Sequence, residues 1–336
     1  MPSEILPWAT LADDYRETIL LGNGASISVD RRFSYSSLFE HAKKNGLLTP
    51  DVKQLFDSFG TSDFELILRI VWQASNVNEL LNIADERTRE AYHHVRDCLI
   101  QTVRQIHPEY AAVSEHLPRI YKFLKSFNTV VSLNYDLLLY WSMMYGNDID
   151  GGHALKDCFN SGRFDDDWQR FRKPMKPQQS TTLVFYPHGS LILCRDRIEQ
   201  ESKIHSRGDS LLRAILDKWK NGEVVPLFVS EGTKEQKVAS IQSSYYLSTV
   251  YREVLPSQRE SLVIYGWDFG EHDLHLLQRM KRQGICRVAV SVLNCDQDYC
   301  DRTSQIVCKE LELATQQVKF FDCESPGCWN HAELEA

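Results

Sequence analysis

The chain of 336 residues is short of several things that would assign it quickly. None of its nine cysteines forms a Cys-x-x-Cys pair, which removes the usual spacing of a four-cysteine zinc site. Their odd number argues for free thiols in a reducing compartment rather than a disulfide framework. No apolar run can span a bilayer: the richest stretch, "TVVSLNYDLLLYWSMMYG", is interrupted by Asn134 and Asp136 and is too short and polar. The start, "MPSEILPWATLADDYRE", has early acids and no basic-then-apolar pattern, so a secretory signal is not expected and a cytoplasmic location is. Excess positive charge is missing too, the formal net charge being −8, so there is no general electrostatic footprint for nucleic acid or an anionic membrane. No Gly-Lys-Ser/Thr occurs, which excludes the phosphate loop of nucleoside triphosphatases. Internal repeats and low-complexity tracts are also lacking.

What the sequence does contain is an ordinary globular composition, 43% hydrophobic and 25% charged, in a chain long enough for one large domain with an insertion or two modest domains. Short β-type runs recur at Thr18–Leu21, Thr129–Leu133, Thr182–Tyr186, Val224–Val229, Ser261–Tyr265, Arg287–Leu293 and Val318–Phe321. Most are continuous apolar runs, the pattern of strands covered on both faces. Helical patterns lie between several of them, at Lys234 to Tyr251, Asp273 to Gln283 and Tyr299 to Thr315. The alternation predicts an α/β, doubly wound, mostly parallel sheet of Rossmann-like type. From Pro50 to Phe127 no strand pattern appears, and Val95, Leu99, Val103 and Ile106 mark one apolar helix face. The expected organisation is an α/β domain over 1–49 and 128–336 with a helical insertion lobe over 50–127, which would flank a ligand crevice. The polar, proline-bearing stretch from Gly146 to Ser180 reads as a long mobile loop.

In doubly wound folds ligands bind beyond the carboxyl ends of the strands. Four such places hold unusual residues: "GNGAS" (Gly22 to Ser26), "LNYD" (Leu133 to Asp136), "PHGS" (Pro187 to Ser190) and "GWDFGEHDLH" (Gly266 to His275). The first has the Gly-x-Gly step of a dinucleotide turn, but Ile27 stands where a third glycine would. Each also has a structural reading: Asn134 or Asp136 as a helix cap, His188 as a turn histidine, Asp273 as an N-cap. His272 and His275 lie three apart on the expected late helix, where solvent-exposed or capping roles compete with a shared site.

In that order and spacing, "GNGAS" followed by Phe33, "LNYD", "HG" and "YGWDFGEHDLHLL", together with "PLFVSEGTKEQK" (Pro226 to Lys237), resemble the sirtuin-like superfamily, in an uncharacterised bacterial branch related to antiphage NAD-cleaving domains. The resemblance spans almost the whole chain and implies NAD as substrate. Gly22, Asn23, Gly24, Ala25 and Ser26 would hold the pyrophosphate, with Ser26 donating a hydrogen bond. Phe33 would lie near the nicotinamide ribose, although "VDRRFSY" departs from the family wording. Asn134 and Asp136 would contact ribose and water, His188 would act as base, and Gly266 and Trp267 would meet the adenosine half. Gly189, Gly232, Thr233 and Asp273 complete the expected binding set. The late cysteine pairs Cys295/Cys300 and Cys323/Cys328 have four intervening residues rather than two, so the resemblance favours an NAD glycohydrolase without metal over a zinc-supported lysine deacylase. The implied partners are NAD or a related nucleotide, with a homo-oligomer or a defence-system protein as a macromolecular one. Two alternatives stay open: a non-catalytic NAD or ADP-ribose sensor, and a metal-dependent phosphoesterase built from Asp136, His188, His272 and Asp273.

Overall fold

Apolar, β-branched segments make the centre of this molecule. In the computed structural model, which describes residues 2–34, 37–206, 208–281 and 284–332, thirteen strands occur among the described residues. In chain order they are β1 (Ile5–Leu6), β2 (Thr18–Leu21), β3 (Thr129–Ser132), β4 (His153–Lys156), β5 (Phe159–Asn160), β6 (Arg163–Phe164), β7 (Ser180–Phe185), β8 (Gly189–Arg195), β9 (Glu201–Lys203), β10 (Val225–Phe228), β11 (Glu260–Tyr265), β12 (Ile285–Val292) and β13 (Val318–Asp322). Eight form one sheet in the order β1-β13-β12-β11-β2-β3-β7-β4, and every neighbouring pair is parallel. The four residues of β2 and the four of β3 are all buried, because helices cover both faces of a parallel sheet and leave no side for alternation. The chain winds from β2 outward through β3 and β7, then returns to β11 on the other side of β2 and winds outward through β12 and β13. The direction of winding therefore reverses between β2 and β11, and it is at such a switch point that a doubly wound sheet opens a crevice.

Residues 50–127 are helical throughout their regular structure, with helices at Pro50–Phe59, Phe64–Leu80, Glu86–Ile106, Tyr110–Val113 and Leu117–Leu124. Val95, Leu99, Val103 and Ile106 are all buried. One continuous apolar core joins this segment to the sheet. A buried ion cluster joins it to a second sheet as well: Arg195 on β8 reaches Glu65 at 3.3 Å and Glu201 at 3.4 Å.

Several expectations need correction. The stretch from Gly146 to Ser180 is not a structureless loop: it contributes β4 to the sheet edge and the β5–β6 hairpin, and Leu155, Cys158 and Trp168 are buried. β4 is anchored by His153, whose ring nitrogens meet Ser180 Oγ at 2.6 Å and Thr182 Oγ1 at 3.0 Å, contacts between distant residues that no local pattern reveals. The apolar run at Val224–Val229 does form β10, but in an antiparallel sheet of order β10-β8-β9 rather than in the main one. The helix expected over Lys234 to Tyr251 breaks at Ser243–Ser244 into Lys234–Gln242 and Tyr245–Thr249, Ser244 accepting from the Leu247 N–H at 3.1 Å. The late helix is Leu274–Met280, and the end expected for it at Gln283 lies outside the described residues. No helix among the described residues is long and apolar enough to cross a membrane.

Candidate functional site

The glycine turn follows β2 at the switch point. Gly22 N–H donates to the Tyr265 carbonyl at 2.9 Å, Gly24 N–H to the Gly266 carbonyl at 2.7 Å, and Ala25 N–H to the Gly22 carbonyl at 3.0 Å. A Cβ on Gly22 would lie 2.5 Å from the Trp267 Cα, and one on Gly24 would lie 2.8 Å from the Gly266 Cα. The glycines are thus required because two loops interlock backbone to backbone. This corrects the expected pyrophosphate cradle: the N–H groups of Gly22, Gly24 and Ala25 are already used inside the protein, and the helix that follows, Asn23–Ile27, is a single turn. Below it, Trp329 Nε1 donates to the Ala25 carbonyl at 2.8 Å.

Ser26 is fully buried, and its hydroxyl donates to Asp136 Oδ2 at 2.6 Å rather than toward a ligand. Asp136 Oδ1 in turn accepts the Leu138 N–H at 2.8 Å, so it holds the first N–H of the helix Leu138–Ile149 while also fixing Ser26. Burial raises the Asp136 carboxyl above its usual value, against the lowering effect of these two bonds. Asn134 spends both amide hydrogens, on the Gly22 carbonyl at 2.9 Å and on Ser26 Oγ at 3.0 Å. That fixes its Oδ1 as the side-chain atom left to meet a ligand. The loop is also held from the helical segment: His107 Nε2 accepts the Leu137 N–H at 3.0 Å while Nδ1 faces the Pro108 carbonyl at 2.8 Å. Burial keeps that imidazole neutral, with its pKa lowered to about 4, as an acceptor requires. Sequence reading missed His107, which contacts the site only through the fold.

These loops surround a cavity of about 1460 Å³, ample for a dinucleotide-sized ligand. Of the expected residues, Asn23, Gly24, Asn134, Asp136, Gly232, Thr233, Gly266, Trp267 and Asp273 line it. Gly22, Ala25, Ser26, Phe33, His188 and Gly189 lie behind the wall. Phe33 is buried edge-to-face on His107 at 5.3 Å, and Gly189, at φ +75°, lets β8 approach β10 where a Cβ would strike the Phe228 Cα. The helical segment supplies a further part of the wall through Phe56, Asp57, Thr61 and Ser62, which no motif signalled. Thr233 closes a capping box with Gln236 at the start of helix Lys234–Gln242.

Glu231, also on the wall, accepts the Phe39 N–H at 3.0 Å. Burial pushes its carboxyl up to about 7, against the lowering hydrogen bonds from Phe39 and Ser37. The folded state therefore holds a proton that the unfolded chain has already released, so this contribution to stability is present below the ordinary value of 4.5 and lost as pH rises through about 7. Glu231→Gln keeps an acceptor but cannot ionise. Thermal melts should show it more stable than the unsubstituted protein by about 1–3 kcal/mol near pH 8 and indistinguishable at low pH.

On the same wall Asp273 does not cap its helix. Its Oδ1 accepts from Lys237 Nζ at 2.7 Å and lies 3.6 Å from His188 Nε2. Burial opposes ionisation of Asp273, but the charge and hydrogen bond of the Lys237 ammonium outweigh it and hold the carboxyl below its usual value. His188 is buried and its ring is hydrogen-bonded to the Leu133 main chain, the residue before Asn134, so the two expected catalytic loops do meet. Burial lowers the His188 pKa to about 4. His272 is exposed on the cavity wall, whereas His275 points inward and is buried, with its pKa also lowered to about 4 by burial. Despite their three-residue spacing they do not share a site: His272 belongs to the 3-10 turn Glu271–Asp273 and His275 to the helix Leu274–Met280. The cluster within ligand distance is His188, Asp273 and His275, not the set of Asp136, His188, His272 and Asp273. Lys237, one turn after Thr233, is the functional-type residue whose sequence signal, a lysine in the first turns of a capped helix, went unread.

No curated protein matches the chain. A family model does, over residues 19–329, which takes in the main sheet from Ile19 of β2 through β13 and all four loops at the switch point. The chain belongs to the family described as Domain of unknown function (DUF4917).

Proposed function

We propose that this protein is an NAD glycohydrolase, releasing nicotinamide and ADP-ribose. The observation that carries the reading is Asn134, both of whose amide hydrogens are tied to Gly22 and Ser26 while it lines the cavity at the switch point. A fixed amide oxygen there can hold a ribose hydroxyl or the attacking water beneath the anomeric carbon. The glycosidic C–N bond breaks with its electron pair going to the nicotinamide ring, a cationic leaving group that needs no strong acid. Water supplies the new bond to the anomeric carbon, and its proton passes to the Asp273 carboxylate, which lines the cavity with His188 behind it. His188 then acts as a positioning residue rather than a direct base. Pre-positioning of water and ribose supplies the rest of the advantage. Such turnover would deplete NAD in a cell, in keeping with the defence-effector role implied by the sequence resemblance.

A second reading, a sensor that binds NAD or ADP-ribose intact, is favoured by the internally satisfied glycine turn and by the burial of His188. Incubating the purified chain with NAD and measuring nicotinamide release, alongside melting temperature with NAD and with ADP-ribose, separates the two. Nicotinamide release supports the hydrolase. A raised melting temperature with NAD recovered intact supports the sensor, and neither response rejects both.

A further inference from the structure

We propose that His188, Asp273 and His275 form a binding site for a borderline divalent transition metal such as zinc, reached from the cavity and guarded by the Lys237 ammonium. The site shares Asp273 and His188 with the proposed hydrolase, and its test reads metal binding rather than turnover.

The first argument is a set of buried imidazole nitrogens without partners. The His188 ring is held by the Leu133 main chain, while its Nε2 has no hydrogen-bond partner. The bonded atom is therefore Nδ1, which donates its hydrogen to the Leu133 carbonyl and leaves a bare lone pair on Nε2. That lone pair faces an acceptor, Asp273 Oδ1, at 3.6 Å. Both ring nitrogens of His275 are also buried without a partner. Exposure is only 3% for His188 and 2% for His275, so bulk water does not reach either. Buried ring nitrogens left without partners are costly, and a cation bound between the two rings and the carboxylate removes that cost.

The second argument is geometric. One ligand atom from each of the three residues lies within 4.8 Å of the others. Bonds of about 2.0–2.1 Å to nitrogen and oxygen in a tetrahedral site set ligand atoms roughly 3.3–3.5 Å apart. The His188–Asp273 separation is already close to that, and the His275 ligand atom lies within 4.8 Å of both. A carbonyl holding the far nitrogen of a ligating histidine is the usual outer support of such a site. Two imidazoles and one carboxylate select zinc or cobalt over magnesium or calcium, which take oxygen ligands.

Lys237 is the competitor. Its ammonium sits 2.7 Å from the same Asp273 oxygen and borders the cavity, so it can swing into that space as a metal ion enters. Three protein ligands leave a coordination position for water.

The test is titration of the metal-free full chain with Co²⁺, followed by visible absorption and calorimetry. The expected result is one ion per chain with ligand-field bands and no thiolate-to-metal charge transfer, which distinguishes this site from the exposed Cys286 and Cys295. His275→Ala should weaken binding at least about tenfold. Lys237→Met, which removes the rival cation, should tighten it by about tenfold, a gain that misfolding cannot imitate. No binding by either the unsubstituted chain or Lys237→Met would overturn the proposal. So would affinity unchanged in a folded His275→Ala chain, or charge-transfer bands showing cysteine ligation.

Discussion

Asn134→Ala should lower the rate of nicotinamide release from NAD by about 10²–10³-fold while leaving the protein folded. The side chain makes two hydrogen bonds, to the Gly22 carbonyl and Ser26 Oγ, and losing them costs about 1–3 kcal/mol of stability. The loss of rate should fall mainly on kcat, because the amide oxygen is proposed to hold the group that moves in the transition state rather than to bind the whole nucleotide. Ser26→Ala is the informative companion. It removes the hydroxyl that links Asn134 to Asp136 but leaves the bond from Asn134 to Gly22, so its effect on rate should be smaller. Steady-state kinetics on both variants, with circular dichroism to verify folding, reads the result. Turnover by Asn134→Ala at the level of the unsubstituted protein would remove this residue from the chemistry.

Gly266→Ala should cost several kcal/mol and leave little folded protein, although it adds one methyl group. Two effects combine. Gly266 has φ +66°, where a side chain costs about 1–2 kcal/mol. In addition its Cβ would lie 2.7 Å from the Gly24 carbonyl carbon, a backbone atom that cannot turn aside. Gly46 supplies the control, because it has the same φ of +66° with nothing within 4 Å of its Cβ position. Gly46→Ala should therefore cost only about 1–2 kcal/mol. Chemical denaturation of the pair separates the price of the dihedral from that of the interlocked loops. Equal losses would mean that the two glycine turns do not pack as described.

Much of the architecture was legible because a strand covered on both faces must be apolar along its length. β2, β3 and β11 announced themselves in that way. Asn134 and Asp136 stood out because polar residues directly after such a run need partners. The illegible parts depend on partners far away in sequence. β4 exists as an edge strand only because β7 and the hydroxyls of Ser180 and Thr182 receive it. β10 has the composition of a central strand, yet it pairs antiparallel with β8, and register with a distant segment leaves no local trace. The glycine turn was recognised as special for a reason other than the observed one. A Gly-x-Gly step signals close backbone approach without saying what approaches, and here it is Gly266 and Trp267. His275 could not be told from His272 because which of them is buried depends on packing against the distant His188 and Tyr251.

The winding of the sheet has a consequence for synthesis on the ribosome. β2 borders β3 on one side and β11 on the other, so about two hundred and forty residues separate it from one of its two neighbours. A nascent chain that has emerged through β7 holds β2, β3, β4 and β7, but one flank of β2 is an open edge of the kind that invites pairing with other chains. The carbonyls of Tyr265 and Gly266 that receive the glycine turn arrive only with β11. A newly made chain thus acquires its ligand crevice late, after most of its length has been translated.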